Sequence, residues 1–208
     1  MKERPILFSA PMVRAILDGT KTQTRRQMKV QPDDNGTVTV GKIGGSRGVA
    51  YIGNERSGGI VTRVPCPYGQ PGDRLWVRET GWQRPERTPR MLREGADTWA
   101  PYYFDADELN DADREELKAW GFKRRPSIFM PRQFSRLTLE LTGIRVEQLQ
   151  EISEADAMAE GVNWQYRAWL SRFTARHVYT AVWERINGKG SWAANPFVWV
   201  LEFQNVSP

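Results

Sequence analysis

The chain has 208 residues, 39% of them hydrophobic and 11% aromatic, enough to bury a core and too apolar for wholesale disorder. Lys and Arg number 30 against 25 Asp and Glu, a formal net charge of +5. One cysteine excludes an internal disulfide and suits Cys66 to a reducing compartment. With one histidine, His177, it also excludes the familiar zinc sets of three or four Cys/His ligands, and a Ser-His-Asp triad would rest on His177 alone.

No stretch approaches the roughly 18 apolar residues of a membrane span. The opening run MKERPILFSAPMVRAIL is broken by Ser9, Pro11 and Arg14, so the expectation is a soluble cytoplasmic protein without a membrane segment. Charge is unevenly placed: residues 1–30 hold seven basic and two acidic side chains, whereas Asp105 to Glu116 holds seven acids and one Arg. A basic patch beside an acidic stretch suits phosphate or nucleic-acid contact; scattered solvated charge explains it equally well.

In chain order, Pro5–Ser9 reads as a short strand. Ala10–Leu17 sets Met12, Ala15 and Ile16 at helical spacing, with Ser9 as N-cap, Pro11 in the first turn and Gly19 as a left-handed C-cap. The segment from Thr20 to Arg26 is polar and dense in donors. Asp33–Gly59, rich in Gly and Asn, reads as a hairpin or loop region with alternating pieces at Thr37–Val40 and Val49–Ile52. Strands follow at Ile60–Val64 and Leu75–Thr80; in the second, Leu75, Val77 and Glu79 share one face and Trp76 and Arg78 the other, so one face must accept a charge.

Residues 82–125 read as an insertion, with nine basic and ten acidic side chains and a helical stretch within Asp105–Trp120; near-cancelling charge points to a surface lid. Ser127–Met130 and Phe134–Leu149 return to strand character, with a bend at Gly143. Ser153 and Asp156 open a helix that runs to Glu160 and closes at Gly161. Trp164–Ile186 carries a long helical pattern ended by Asn187-Gly188, and Phe197–Phe203 is apolar enough for a central strand. This order, without GxGxxG or Walker A sequences, favours a single α+β domain over residues 1–208, built as a small barrel rather than a doubly wound sheet.

The sharpest local signal is Gly19-Thr20-Lys21-Thr22-Gln23-Thr24-Arg25-Arg26. It resembles the G-x-K-x-x-[E/T]-x-R signature of the ASCH superfamily, compact barrels similar to the PUA RNA-binding domain. Thr24, where many members carry Glu, is similar to the branch of N(4)-acetylcytidine amidohydrolases, in which a Lys, a Thr and a later Glu act without metal or cofactor. Ile152-Ser153-Glu154-Ala155-Asp156-Ala157-Met158-Ala159-Glu160 resembles the helix opening before that Glu and assigns the role to Glu160. The resemblance implies a PUA/ASCH-like β-barrel with flanking helices, the insertion forming a lid. It further implies a hydrolase releasing the N(4)-acyl group from a cytidine-type nucleoside, with Thr24 as nucleophile, Lys21 as base and Glu160 as proton shuttle.

Such chemistry is consistent with the residues, since a Thr-Lys pair needs no histidine. An extended segment at 20–26 puts Lys21 and Thr24 on opposite sides, whereas a turn brings them together; the sequence permits either. Expected substrate-binding residues are Thr22, Arg26, Arg78 and Glu79, with Trp192 as a stacking platform beside Asn195. The expected partner is a pyrimidine nucleoside or modified cytidine. An alternative reading is a non-catalytic module binding RNA or a modified base through the same cleft by charge and stacking.

Overall fold

The computed structural model describes residues 1–32, 36–40, 48–54, 61–162 and 174–207. Strand β1 (Glu3–Leu7) leads through Ser9 and Pro11 into helix α1 (Ala10–Leu17), which buries Val13, Ala15 and Ile16. The donor-rich segment forms strand β2 (Gln23–Gln27). Strands β3 (Gly36–Val40) and β4 (Val49–Asn54), at the alternating pieces of the region expected as hairpin or loop, join β5 (Val61–Pro65), at the strand expected over Ile60–Val64, in a small antiparallel sheet. Ala50 and Ile52 of β4 join the main core.

After β6 (Arg74–Arg78) comes the insertion. It comprises β7 (Gly81–Gln83), α2 (Pro89–Arg93), β8 (Tyr102–Phe104), α3 (Asp111–Ala119) and β9 (Lys123–Arg125). This is more than a coreless flap. Its three strands pair in the order β8-β7-β9, and Trp82, Met91, Ala96, Leu117 and Phe122 bury one another in a separate hydrophobic cluster. Ser127–Phe129, expected as a strand, is a 3-10 turn between Pro126 and Pro131, residues that supply no ladder N–H. The chain closes with β10 (Thr138–Gln148), α4 (Glu154–Ala159), α5 (Ala175–Asn187) and β11 (Phe197–Asn205). The first part of the helix expected at Trp164–Ile186 lies outside the described residues.

The main sheet has the order β1-β6-β10-β11-β2, with β1 parallel to β6 and every other pair antiparallel. Strand β11 is buried on both faces: Trp199, Leu201 and Phe203 enter the main core with Leu75, Val77 and Leu139, while Val198 and Val200 pack under Tyr179 and Trp183 of α5. That double burial explains its near-continuous apolar run.

A flat five-stranded sheet would hold its edges about 19 Å apart. Here Arg26 of edge strand β2 donates to the Leu7 carbonyl of edge strand β1 at 2.6 Å, so the sheet is strongly curled. No ladder joins β1 to β2, however, and the sheets are open. The α+β class stands, but the expected closed PUA/ASCH-like barrel does not. At the start of β2 the outer edge is taken by the end of α4, through a Thr22 N–H to Ala159 carbonyl bond and a bridge between Lys21 and Glu160. Among the described residues no helix is long and apolar enough to cross a membrane.

Candidate active site

The site begins where α1 ends. Gly19 turns the chain at φ +71°, and the Thr20 and Lys21 amides both donate to the Ala15 carbonyl at 2.9 Å, directing Lys21 inward. On the other side, Ser153 and Asp156 form the capping box that starts α4, which delivers Glu160 to the same place. Gly161 follows at φ +75°, and a Cβ there would stand 2.7 Å from the Lys21 Cβ and 2.8 Å from that of Ala15. A glycine is required for the two segments to approach this closely.

Lys21 Nζ donates to the Glu160 carbonyl at 2.8 Å and to Glu160 Oε2 at 2.9 Å, with side-chain exposures of 0% and 3%. Burial lowers the Lys21 pKa; the Glu160 charge and hydrogen bond oppose it, and the Arg26 and Arg25 charges reinforce it. Arg25, its side chain also wholly buried, pairs through Nη1 with Glu160 Oε1 at 3.3 Å and through Nη2 with Glu147 at 2.9 Å and Asp156 at 3.5 Å. Arg145 extends the network to Glu147, Asp156 and Glu202. Burial pushes the Asp156 carboxyl up, but hydrogen bonds from Ser153 and Gln23 and the Arg25 charge outweigh it and hold the pKa at about 2.

A hollow of about 60 Å³ opens beside this network, room for a few water molecules. Thr24, Arg25 and Arg26 of β2, Glu160 and, from α5, Tyr179 and Trp183 line it. The Thr24 hydroxyl has no hydrogen-bond partner among the described residues. No hydrogen bond joins it to Lys21 either, because the ammonium is held by Glu160. Residues 23–27 are extended, and Thr24 and Arg26 lie opposite Leu201 and Trp199 of the inner core, while Arg25 lies opposite Val200 of the outer cluster. Glu160 is therefore the link: it holds Lys21 and shares the hollow with Thr24. Arg26 sits with its guanidinium carbon 5.2 Å from the centre of the Phe8 ring, and Lys21 Nζ lies 5.6 Å from the same ring.

The other expected contacts lie apart from this hollow. Thr22 is exposed, and its backbone is engaged with Ala159 and Phe203. Arg78 lies over Trp76 at 4.8 Å. Glu79, 1% exposed, receives a two-pronged contact from Arg136 at 3.0 and 3.2 Å, and Arg136 also pairs with Asp107 of the insertion. Trp192 is no open platform: it packs against the outer cluster, edge-on to Tyr179, with Arg176 over its ring. Asn195 accepts from the Gln150 amide and donates to Gln148. His177 forms the N-terminal box of α5 with Thr174, and burial raises the Cys66 thiol to about 11, an unreactive value.

Arg25, Glu147 and Tyr179 are the site neighbours that motif reading passes over. Tyr179 and Trp183 were visible as one face of a helical period, and Arg25 had no signal beyond its place in the donor-rich segment. A larger hollow of about 350 Å³ lies in the insertion between Trp99, Tyr103, Leu109, Asp113 and Glu116, and Asp113 there accepts the Asn110 amide that caps α3. No protein-family model, curated protein or solved structure matches the chain.

Proposed function

We propose that the protein is a metal-independent amidohydrolase that removes a short N(4)-acyl group from cytidine-type nucleosides. One observation carries the reading: Thr24, whose hydroxyl has no hydrogen-bond partner among the described residues, lines a small hollow with Glu160, whose carboxylate is bonded to a buried lysine of lowered pKa. The likeness of both motifs to the amidohydrolase branch of the ASCH superfamily supports the substrate class. A hollow of this size takes the acyl amide and leaves the sugar outside.

In the first step the Thr24 oxygen bonds to the acyl carbon, the carbonyl electron pair moves to oxygen, and the hydroxyl proton passes to Lys21 by way of Glu160. Burial favours the neutral amine that this step requires. Collapse of the tetrahedral adduct breaks the C–N bond, and Glu160 hands that proton to N4 of the departing cytidine. Water then attacks the Thr24 ester with the same pair as base, releasing the carboxylic acid and restoring the hydroxyl.

The test is release of cytidine from N(4)-acetylcytidine in excess EDTA, followed by chromatography. Thr24→Val, isosteric and without a lost hydrogen bond, is expected to fold and to be inactive. No turnover by the wild type, or unchanged turnover by Thr24→Val, overturns the proposal. Binding without turnover that weakens steeply with salt would instead identify an RNA- or modified-base-binding module.

A further inference from the structure

The hollow in the insertion, about 350 Å³, falls within the roughly 300–1,000 Å³ of small-molecule sites. Trp99, Tyr103, Leu109 and Leu117 make its apolar wall, and Asp113 and Glu116 its polar one. Among the described residues no basic side chain lines it. Asp113, Glu116 and Leu117 stand at i, i+3 and i+4 and so share one face of α3. The other two acids of that helix have cations of their own: Asp111 pairs with Arg114 at 2.9 Å and Glu115 with Lys118 at 2.6 Å. Asp113 accepts the Asn110 amide, and neither it nor Glu116 has a cationic partner among the described residues. The uncompensated negative charge of α3 is therefore the charge that borders the hollow.

The rings of this region are fixed by one another, Trp99 against Trp120 at 5.5 Å and Tyr103 against Phe122 at 5.7 Å. The same cluster already holds a cation, the Arg90 guanidinium, 4.4 Å from the centre of the Trp120 ring. Arg84 donates to the Trp99 carbonyl and is not among the lining residues. A neutral apolar ligand would leave both carboxylates without a counter-charge, and an anion would be repelled. A primary ammonium is strongly hydrated and would bring three donors to a mostly apolar wall. An alkylated ammonium has no such demand and is attracted by aromatic rings and carboxylates alike. We propose that the insertion binds a small organic cation, its alkylated ammonium beside Trp99 and Tyr103 and within the field of Asp113 and Glu116. This site shares no residue with the hollow lined by Thr24 and Glu160, and the inference does not rest on the amidohydrolase reading.

Choline and 3,3-dimethylbutan-1-ol have the same shape and differ in charge. Each is titrated into the full chain while the tryptophan indole N–H resonances are followed, that of Trp99 being the one missing from Trp99→Leu. Choline is expected to shift the Trp99 resonance saturably at millimolar concentrations, and the alcohol to bind at least about fivefold more weakly. Glu116→Gln alters an exposed side chain that has no ion pair to lose, so it is expected to fold and to weaken choline binding about threefold. No saturable shift at Trp99, equal affinity for the two probes, or choline binding unchanged in Glu116→Gln overturns the inference. Should Trp99→Leu fail to fold, the comparison of the two probes and the Glu116→Gln titration decide it alone. Every readout is binding, so the result stands whether or not the chain hydrolyses N(4)-acetylcytidine.

Discussion

Glu160 neutralises two buried cations at once, and removing its charge should cost far more than removing either partner. The Lys21 and Arg25 side chains are 0% exposed and Glu160 is 3% exposed, so none of the three recovers hydration without local opening. In Glu160→Gln, Arg25 keeps Glu147 at 2.9 Å and Asp156 at 3.5 Å, but Lys21 keeps only the Glu160 carbonyl at 2.8 Å and whatever the amide offers. An orphaned buried charge of this kind costs about 3–5 kcal/mol. In Lys21→Met the carboxylate retains Arg25, and the expected cost is smaller, about 1–2 kcal/mol. The double variant should fall short of the sum by about 1–3 kcal/mol, because the second change removes a charge that the first has stranded. Urea unfolding at pH 7 reads these as midpoint shifts, about 1–2 M for Glu160→Gln. The Glu160→Gln penalty should also shrink as pH rises, since the stranded lysine then sheds its proton. Equal costs for the two single variants, or strict additivity, would refute the argument.

Three further outcomes follow from the same geometry. Asp156, held at about 2 against an ordinary 3.8, contributes stability that is full above pH 4 and lost as pH falls toward 2. After allowance for solvent screening the loss is about 1–2 kcal/mol, and Asp156→Asn should flatten that limb of a pH-dependent urea series. Lys21 titrates below its ordinary 10.5, so activity should climb with pH through one ionisation beneath that value, and Lys21→Arg, which stays charged, should remove the climb; a rate independent of pH counts against Lys21 as base. Gly161→Ala places a Cβ 2.7 Å from Lys21 Cβ on left-handed backbone and should cost about 2–4 kcal/mol, read by thermal unfolding, with acylcytidine hydrolysis falling alongside.

Much of the frame was legible because local chemistry and tertiary structure agree. Ser9 and Pro11 start α1, Gly19 ends it, the Ser153–Asp156 box starts α4, and the two-sided run Phe197–Phe203 is the buried strand it reads as. What misled was context. The polar segment after Gly19 permits strand or turn by itself, and tertiary pairing decides for the strand: Gln23–Gln27 pairs with β11, its charges satisfied by carboxylates from β10 and the end of α4 that lie more than 120 residues away. Trp192 and Asn195 lie on a loop without periodicity, which reads as exposure, but Tyr179 and Gln150 claim their side chains. Asp156 was legible as a cap and illegible as a member of the ion network, because capping is a relation over three residues and the Arg25 contact spans 131.

Openness of the sheet and chemistry of the site have one cause. An unpaired strand edge invites further pairing, and folds commonly blunt it with charge or cover it with a helix. Both devices operate on β2: α4 covers its beginning through Thr22 and the Lys21 bridge, and Arg25 fills its middle with buried charge. Closing the sheet by pairing β1 to β2 would put a ladder where Arg26 now reaches the Leu7 carbonyl. Arg25 and Glu160 therefore belong both to the covered edge and to the lining of the hollow, and Arg25 sits there at an electrostatic cost that Glu160 offsets. Replacing Lys21, Arg25 and Glu160 together by apolar side chains of similar volume, unlike any single change, should raise stability and lower catalysis together, the opposite sign of coupling from that expected if the network were only a structural cap.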